Sequence, residues 1–103
     1  RYFHSGKNCL MISENHNYDK GKAIPYDKTY IKKGIVIEDF VWMGSNVTVL
    51  PGVRIGEGAI IQAGAVVSSN IPAYAIAGGN PARVFKYRDV EHFRKLKEEG
   101  RYW

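Results

Sequence analysis

The sequence predicts an all-β chain wound as a parallel β-helix, and two interleaved series of residues carry that prediction. Small aliphatic residues recur at every sixth position through Ile35, Val41, Val47, Val53, Ala59, Ala65 and Ile71. A second series follows two residues behind, through Ile37, Met43, Val49, Ile55, Ile61, Val67 and Ala73. An amphipathic helix repeats near 3.6 residues and a lone strand alternates over a short run, so neither accounts for a sustained period of six. A short repeat held this long marks one unit stacked on copies of itself. Six residues suit one flat side of a triangular column, because alternate residues of a short strand point inward and a turn follows.

The repeated unit can be followed along the chain as Met43–Thr48, Val49–Arg54, Ile55–Ile60 and Ile61–Val66. Gly44, Gly52, Gly56, Gly58 and Gly64 crowd the turns between these sides. Three sides make a coil of eighteen residues, so 35–73 supplies about two coils. Two coils bury little apolar surface, and their ends need cover. Oligomerisation is the expected cover, with further N-terminal coils as a second contributor, since the chain opens at Arg1 rather than at Met.

Length sets the scale: 103 residues make a single domain with a modest core. The single cysteine, Cys9, excludes an intrachain disulfide and fits a reducing compartment. As a small apolar residue it is expected to be packed rather than reactive. No stretch approaches the roughly 20 apolar residues of a membrane span, and no signal peptide is visible, so the expected location is the cytoplasm. The formal charge of +5 is unevenly placed: between Gly34 and Ala82 the only basic residue is Arg54. Lys20, Lys22, Lys28, Lys32 and Lys33 precede the repeat, and the remaining basic cluster starts at Arg83. With no recognition helix and no aromatic–basic interleaving, nucleic acid is not the expected partner. Basic groups flanking a neutral column fit a small polyanionic ligand.

In chain order, residues 1–16 read as an irregular, strand-like lead-in whose buried part is Cys9-Leu10-Met11-Ile12. Residues 17–33, with Gly21, Pro25 and five lysines, read as a projecting loop. The regular coils occupy 34–76. Gly78-Gly79 and Asn80-Pro81 then mark an exit turn within 77–88. Over 89–100 a short helix is expected, with Asp89 as N-cap, Val90, Phe93 and Leu96 on one face, a Glu91–Lys95 pair, and Gly100 as stop. Its apolar stripe should pack across the column or a neighbouring subunit, with Trp103 extending the contact.

The repeat, the Val41-Trp42-Met43-Gly44 start, the Gly79-Asn80-Pro81-Ala82-Arg83 exit and a histidine before a projecting loop together resemble the hexapeptide-repeat acetyltransferases. The similarity is to galactoside and maltose O-acetyltransferases, xenobiotic (chloramphenicol-type) acetyltransferases and polysaccharide O-acetyltransferases, and it runs from about residue 9 to 88. It implies a left-handed β-helix, against the usual right-handed crossover rule. It also implies homotrimers with acetyl-CoA bound between adjacent columns, no metal, and a sugar-type acceptor.

Of the three histidines, His16 takes the catalytic position of that family. A sugar hydroxyl is a poor nucleophile at neutral pH, so a base must take its proton as it attacks the thioester carbonyl. Imidazole, with an ordinary pKa near 6.5, suits the task. Direct transfer from the coenzyme to the acceptor needs no serine or cysteine nucleophile. Asn15, Asn17 and Glu14 lie near enough in sequence to orient the ring, and the sequence does not choose among them. The same resemblance carries coenzyme contacts to Ser45, Ala63, Ser68, Ser69, Arg83 and Lys86, with Trp42 and Asn15 at the wall of the site. Backbone groups at Ser45 and Ala63 would hold the pantetheine arm, and Arg83 and Lys86 the phosphates. Several family members carry a threonine–lysine pair where this chain has Ser68-Ser69, so one phosphate contact is lost or supplied elsewhere.

Other functions are open to the same architecture. A zinc hydratase of the γ-carbonic-anhydrase kind needs three converging imidazoles, and His4, His16 and His92 are too scattered. A non-catalytic trimeric solenoid would tolerate loss of His16. Transfer to an amine, on an amino sugar or a xenobiotic, would use the same base.

Overall fold

The computed structural model describes residues 1–17 and 19–103. Among these described residues, twelve short strands and one helix follow one another: β1 (His4–Ser5), β2 (Leu10–Met11), β3 (Glu14–His16), β4 (Tyr30–Lys32), β5 (Val36–Ile37) and β6 (Trp42–Met43) come first. After them come β7 (Thr48–Val49), β8 (Arg54–Ile55), β9 (Ile60–Ile61), β10 (Val66–Val67), β11 (Ala75–Gly78), β12 (Arg83–Tyr87) and α1 (Val90–Glu98).

The strands pair as three faces of a column. The first face stacks β1, β6, β9 and β11 in parallel and ends with β12 laid antiparallel on β11. The second stacks β2, β7 and β10, and the third stacks β5 on β8, continued by a bridge from Ile55 to Ile71. Trp42 pairs with Ile60, Thr48 with Val66 and Val36 with Arg54, which sets eighteen residues per coil. The molecule is accordingly long and thin, 55 × 22 × 22 Å.

Both six-residue series point inward. Eleven of the fourteen residues are buried, and Ile35, Ile37 and Ala73, at the ends of the stack, are partly buried. A parallel β-helix of six-residue sides is therefore what the periodicity encodes. Glycine at a turn lets one coil settle on the next: a β-carbon on Gly44 would stand 2.6 Å from the Ala63 backbone nitrogen.

Residues 1–12 are not the irregular lead-in expected from sequence. β1 and β2 are two sides of a first coil, with His4 paired to Trp42 and Leu10 to Thr48. These partners lie 38 positions apart, twenty more than in the next coil, and the excess is the inserted hairpin of β3 and β4. Phe3 and Cys9 take the inward places below Val41 and Val47 and pack on the core. Ser5 and Phe3 interrupt the small-aliphatic pattern, which hid the coil from the periodicity. Leu10 and Met11, expected to be buried, are 55% and 44% exposed. Leu10 shares the outward register of Thr48, and Met11 has no coil beneath it.

At one edge the chain enters the left-handed region in every coil, at Tyr2, Phe40, Gly58 and Tyr74, with φ of 53°, 62°, 71° and 64°. Tyr2 and Phe40 stack with ring centroids 5.0 Å apart and planes 6° from parallel. α1 lies along this edge. The Asp89 side chain accepts from the His92 backbone nitrogen at 3.0 Å and caps its first turn. Val90, Phe93 and Leu96 are half-buried, and the Phe93 ring meets Phe40 and Tyr74 edge-on. Among the described residues no ion pair joins Glu91 to Lys95; Lys97 instead reaches Glu57 on the column. The tail beyond α1 returns to the first coil, where Tyr102 packs on Tyr2 and Phe40 and the Trp103 carbonyl meets His4 Nε2 at 2.8 Å. The Trp103 ring itself is 96% exposed.

Candidate active site

The inserted hairpin leaves the column between its second and third faces. β3 and β4 pair antiparallel, with Glu14 opposite Lys32, Asn15 opposite Ile31 and His16 opposite Tyr30. Asn17 extends the pairing: its backbone nitrogen donates to the Thr29 carbonyl at 3.1 Å and its Nδ2 to Thr29 Oγ1 at 3.2 Å. The distal loop is tied by Asp27, whose carboxylate accepts from the Lys22 backbone nitrogen at 2.9 Å and from the backbone nitrogen and hydroxyl of Thr29. Those donors, the Thr29 hydroxyl foremost, hold the Asp27 carboxyl below its ordinary pKa. Residue 18, within the loop expected over 17–33, lies outside the described residues.

His16 is half-buried at the end of β3. Its imidazole stacks on Tyr26, with centroids 3.6 Å apart and planes 23° from parallel. Tyr30 closes a second side, 4.7 Å away at 33°. Among the described residues, Nδ1 of His16 is buried without a hydrogen-bond partner. None of the three polar neighbours weighed from sequence bonds to the ring in these pairings. Asn15 Oδ1 accepts from the His16 backbone nitrogen at 2.8 Å, Asn17 is engaged by Thr29, and Glu14 faces Lys32 at 4.0 Å. The tyrosines were missed because a cross-hairpin contact depends on register, and no periodicity fixes the register of a single inserted hairpin.

Two of the coenzyme candidates, Ser45 and Ala63, lie on a different edge. Ser45 sits between β6 and β7, and Ala63 sits one coil on, between β9 and β10. They adjoin through the Gly64 backbone nitrogen, which donates to the Ser45 carbonyl at 2.9 Å. Ser45 Oγ also accepts from the Lys7 backbone nitrogen at 3.1 Å. Small residues keep this edge open: nothing stands within 4 Å of a β-carbon built on Gly64. Past the exit turn, the Ala82 nitrogen donates to the Val66 carbonyl at 2.8 Å, which sets Arg83 at the start of β12 beside the last coil. Arg83 and Lys86 are exposed, and neither enters an ion pair among the described residues. Ser68 and Ser69 are exposed just after β10, on the hairpin's edge but further along the column.

Trp42 is 55% exposed on the outer side of the first face. It lines a cavity of about 420 Å³ between that face and the helix and tail, shared with His4, Phe40, Arg88, Phe93 and Tyr102. No other candidate residue lines it, and His16 stands away from it. His4 is taken up by the tail, and His92 is exposed on α1. Among the described residues no three His, Cys, Asp or Glu side chains converge as a metal site, and no helix is long and apolar enough to cross a membrane.

The bacterial transferase hexapeptide family, described by six repeats, matches residues 34–69. A chloramphenicol acetyltransferase of Klebsiella aerogenes is 32% identical over 113 residues, covering 96% of this chain and 54% of the relative. The chain thus spans about half the length of that relative. A hexapeptide-repeat acetyltransferase of Vibrio cholerae in complex with acetyl coenzyme A superimposes with a TM-score of 0.72 at 33% identity, over 82% of this chain and 46% of the other. A maltose O-acetyltransferase of Clostridium difficile superimposes with a TM-score of 0.67 at 27% identity, over 85% and 60%. The repeat and these neighbours imply the left-handed winding of the column. The chain is a hexapeptide-repeat protein whose relatives in sequence and in fold are acetyltransferases.

Proposed function

We propose that this chain belongs to an acetyl-CoA-dependent O-acetyltransferase that acetylates a hydroxyl of a sugar or sugar-containing polymer, with His16 as general base. The observation that carries this is the placement of His16. The regular coil is interrupted by one inserted hairpin, and that hairpin presents a packed imidazole at the end of its first strand. The neighbours named above, one in complex with acetyl coenzyme A and one a maltose O-acetyltransferase, support this choice of co-substrate and are in keeping with a sugar-type acceptor.

The chemistry follows from what an imidazole can do. Neutral His16 takes the proton of the acceptor hydroxyl as the oxygen attacks the thioester carbonyl. The tetrahedral intermediate collapses, the C–S bond breaks, and the coenzyme thiolate recovers the proton from the imidazolium. The Ser45–Ala63 edge suits an amide-bearing arm, because its backbone is accessible and its side chains are small. Arg83 and Lys86, unpaired among the described residues, suit the coenzyme phosphates. Ser68 and Ser69 are proposed as further coenzyme contacts, and Trp42 and Asn15 as walls of the site, with Asn15 also accepting from the His16 backbone. Because His16 and the Ser45–Ala63 edge leave different corners of one column, the site is proposed to form between subunits of a homotrimer, where one hairpin faces the next column's corner.

The test is acetyl-CoA turnover against a panel of sugars, amino sugars and chloramphenicol, with wild type beside His16→Ala. Loss of the base should lower kcat by about 10²- to 10⁴-fold. An unaffected His16→Ala protein, or acetyl-CoA binding with no turnover on any acceptor, would sink the catalytic assignment.

A further inference from the structure

We infer that Tyr26 and Tyr30 are positioning residues for His16: a two-sided aromatic clamp fixes the plane of the imidazole before an acceptor arrives. The inference rests on His16 being the base, and it names what orients that base. Of the polar side chains nearest in sequence, Asn15 bonds the His16 backbone, Asn17 gives its Nδ2 to Thr29 while its Oδ1 stays buried and unpartnered among the described residues, and Glu14 faces Lys32. What touches the ring is aromatic. Tyr26 lies nearly parallel to it at 3.6 Å, closer than the Tyr2–Phe40 stack at 5.0 Å, and Tyr30 meets it at 4.7 Å.

Register makes Tyr30 a fixed wall. It stands directly opposite His16 in the antiparallel pair, where side chains of the two strands share a face. Tyr26 comes from the turn and is held there by the loop that Asp27 ties, one residue further on. The clamp also suits the chemistry, because an aromatic face attracts the cation that forms when imidazole takes a proton. With Nδ1 buried and unpartnered among the described residues, the plane of the ring decides where its other nitrogen points. A ring free to turn about its χ angles would spend most of its time off the attack geometry. The tyrosine hydroxyls play no part in this, so phenylalanine should serve as well.

The experiment compares Tyr26→Ala, Tyr30→Ala, the double alanine variant and Tyr26→Phe in the full chain, using the acceptor that supports turnover in the His16 test. The alanine variants should lower kcat by about 10- to 100-fold with the KM for acetyl-CoA unchanged, and Tyr26→Phe should stay within about twofold of wild type. A second readout needs no turnover. In protein with ¹³C-labelled histidine there are three imidazoles to assign, and His16→Ala identifies the signal. That signal should be shifted by ring currents in wild type and in Tyr26→Phe, and should move toward a free-imidazole position in Tyr26→Ala. Thermal melting of each variant separates a lost clamp from a lost fold. If the His16 signal is unmoved in Tyr26→Ala, or if the double variant keeps wild-type kcat while His16→Ala is inactive, the clamp is wrong and the base assignment stands. If His16→Ala itself turns over normally, both fall.

Discussion

The ring of Phe93 occupies the space a side chain at Gly58 would need: a β-carbon there would stand 2.9 Å from Phe93 Cε2. Gly58 is the one glycine in an edge otherwise built of Tyr2, Phe40 and Tyr74, all with positive φ. The gap it leaves is where α1 inserts its central aromatic, between Phe40 and Tyr74. Helix and column are thus keyed together by an absent side chain. Arg88 reinforces the key, donating from Nε to the Gly58 carbonyl with its guanidinium 5.4 Å above the Phe93 ring.

Gly58→Ala should therefore lower stability by about 2–4 kcal/mol, part from the left-handed backbone and part from displacing Phe93. Gly64 supplies the control. It has φ of 77° but open space around its β-carbon position, so Gly64→Ala should show only the backbone part, about 1 kcal/mol. Denaturant unfolding of both variants decides it; equal losses would mean that the Phe93 contact contributes nothing.

The stack makes burial depend on height in the column rather than on residue type. Ile37 and Ile55 belong to the same series and pair directly, yet Ile55 is 0% exposed while Ile37, with less above and below it, is only half-buried. Ile55→Ala should cost about 2–5 kcal/mol and Ile37→Ala about half as much or less. Equal costs would show that the end coil is covered as well as the middle one, as a neighbouring subunit lying over Ile37 would bring about.

How far the sequence could be read follows from the same physics. The inward series from Ile35 to Ala73 was legible because every coil reuses the same two positions, so the signal accumulates. The first coil was not, since Phe3, Ser5, Cys9 and Met11 hold those positions once each and a twenty-residue hairpin separates them from the rest. His16 was legible through the family resemblance, standing in a polar stretch just before the projecting loop. Tyr26 and Tyr30 did not, because they touch it only through hairpin register. The corner holding Ser45 and Ala63 could be placed by counting sixes, whereas its separation from the hairpin's edge needed the three faces laid out. Glu91 and Lys95 have helical spacing, but Lys97 finds its carboxylate on the column, which no local rule anticipates.

For the coenzyme, Arg83 and Lys86 make separable predictions from His16. Both are exposed on β12, beyond the last coil and remote in sequence from the hairpin. Arg83→Ala should raise the KM for acetyl-CoA by about 3- to 30-fold with little change in kcat, as expected when binding is removed equally from ground and transition states. Lys86→Ala should act in the same direction. An unchanged KM in the double variant would move the phosphate site away from β12.

Acid should loosen the hairpin before the column. Asp27 is held below its ordinary carboxyl pKa by the Thr29 hydroxyl and by the Lys22 and Thr29 backbone nitrogens, all of which donate to its ionised form. A carboxyl whose pKa is lower folded than unfolded adds stability that is fully present above the unfolded value, about 3.9. That contribution is lost as pH falls through the folded value. The Lys22 and Thr29 amides, followed by ¹⁵N NMR from pH 6 downward, should therefore lose their hydrogen-bonded shifts only below about pH 4. Amides of the second face, such as Thr48 and Val66, should hold over the same range, because their carbonyl partners do not titrate. Asp27→Asn keeps an acceptor but has no charge to lose, so its loop amides should show no such transition. If the Asn variant titrates like wild type, the acid response belongs to another group.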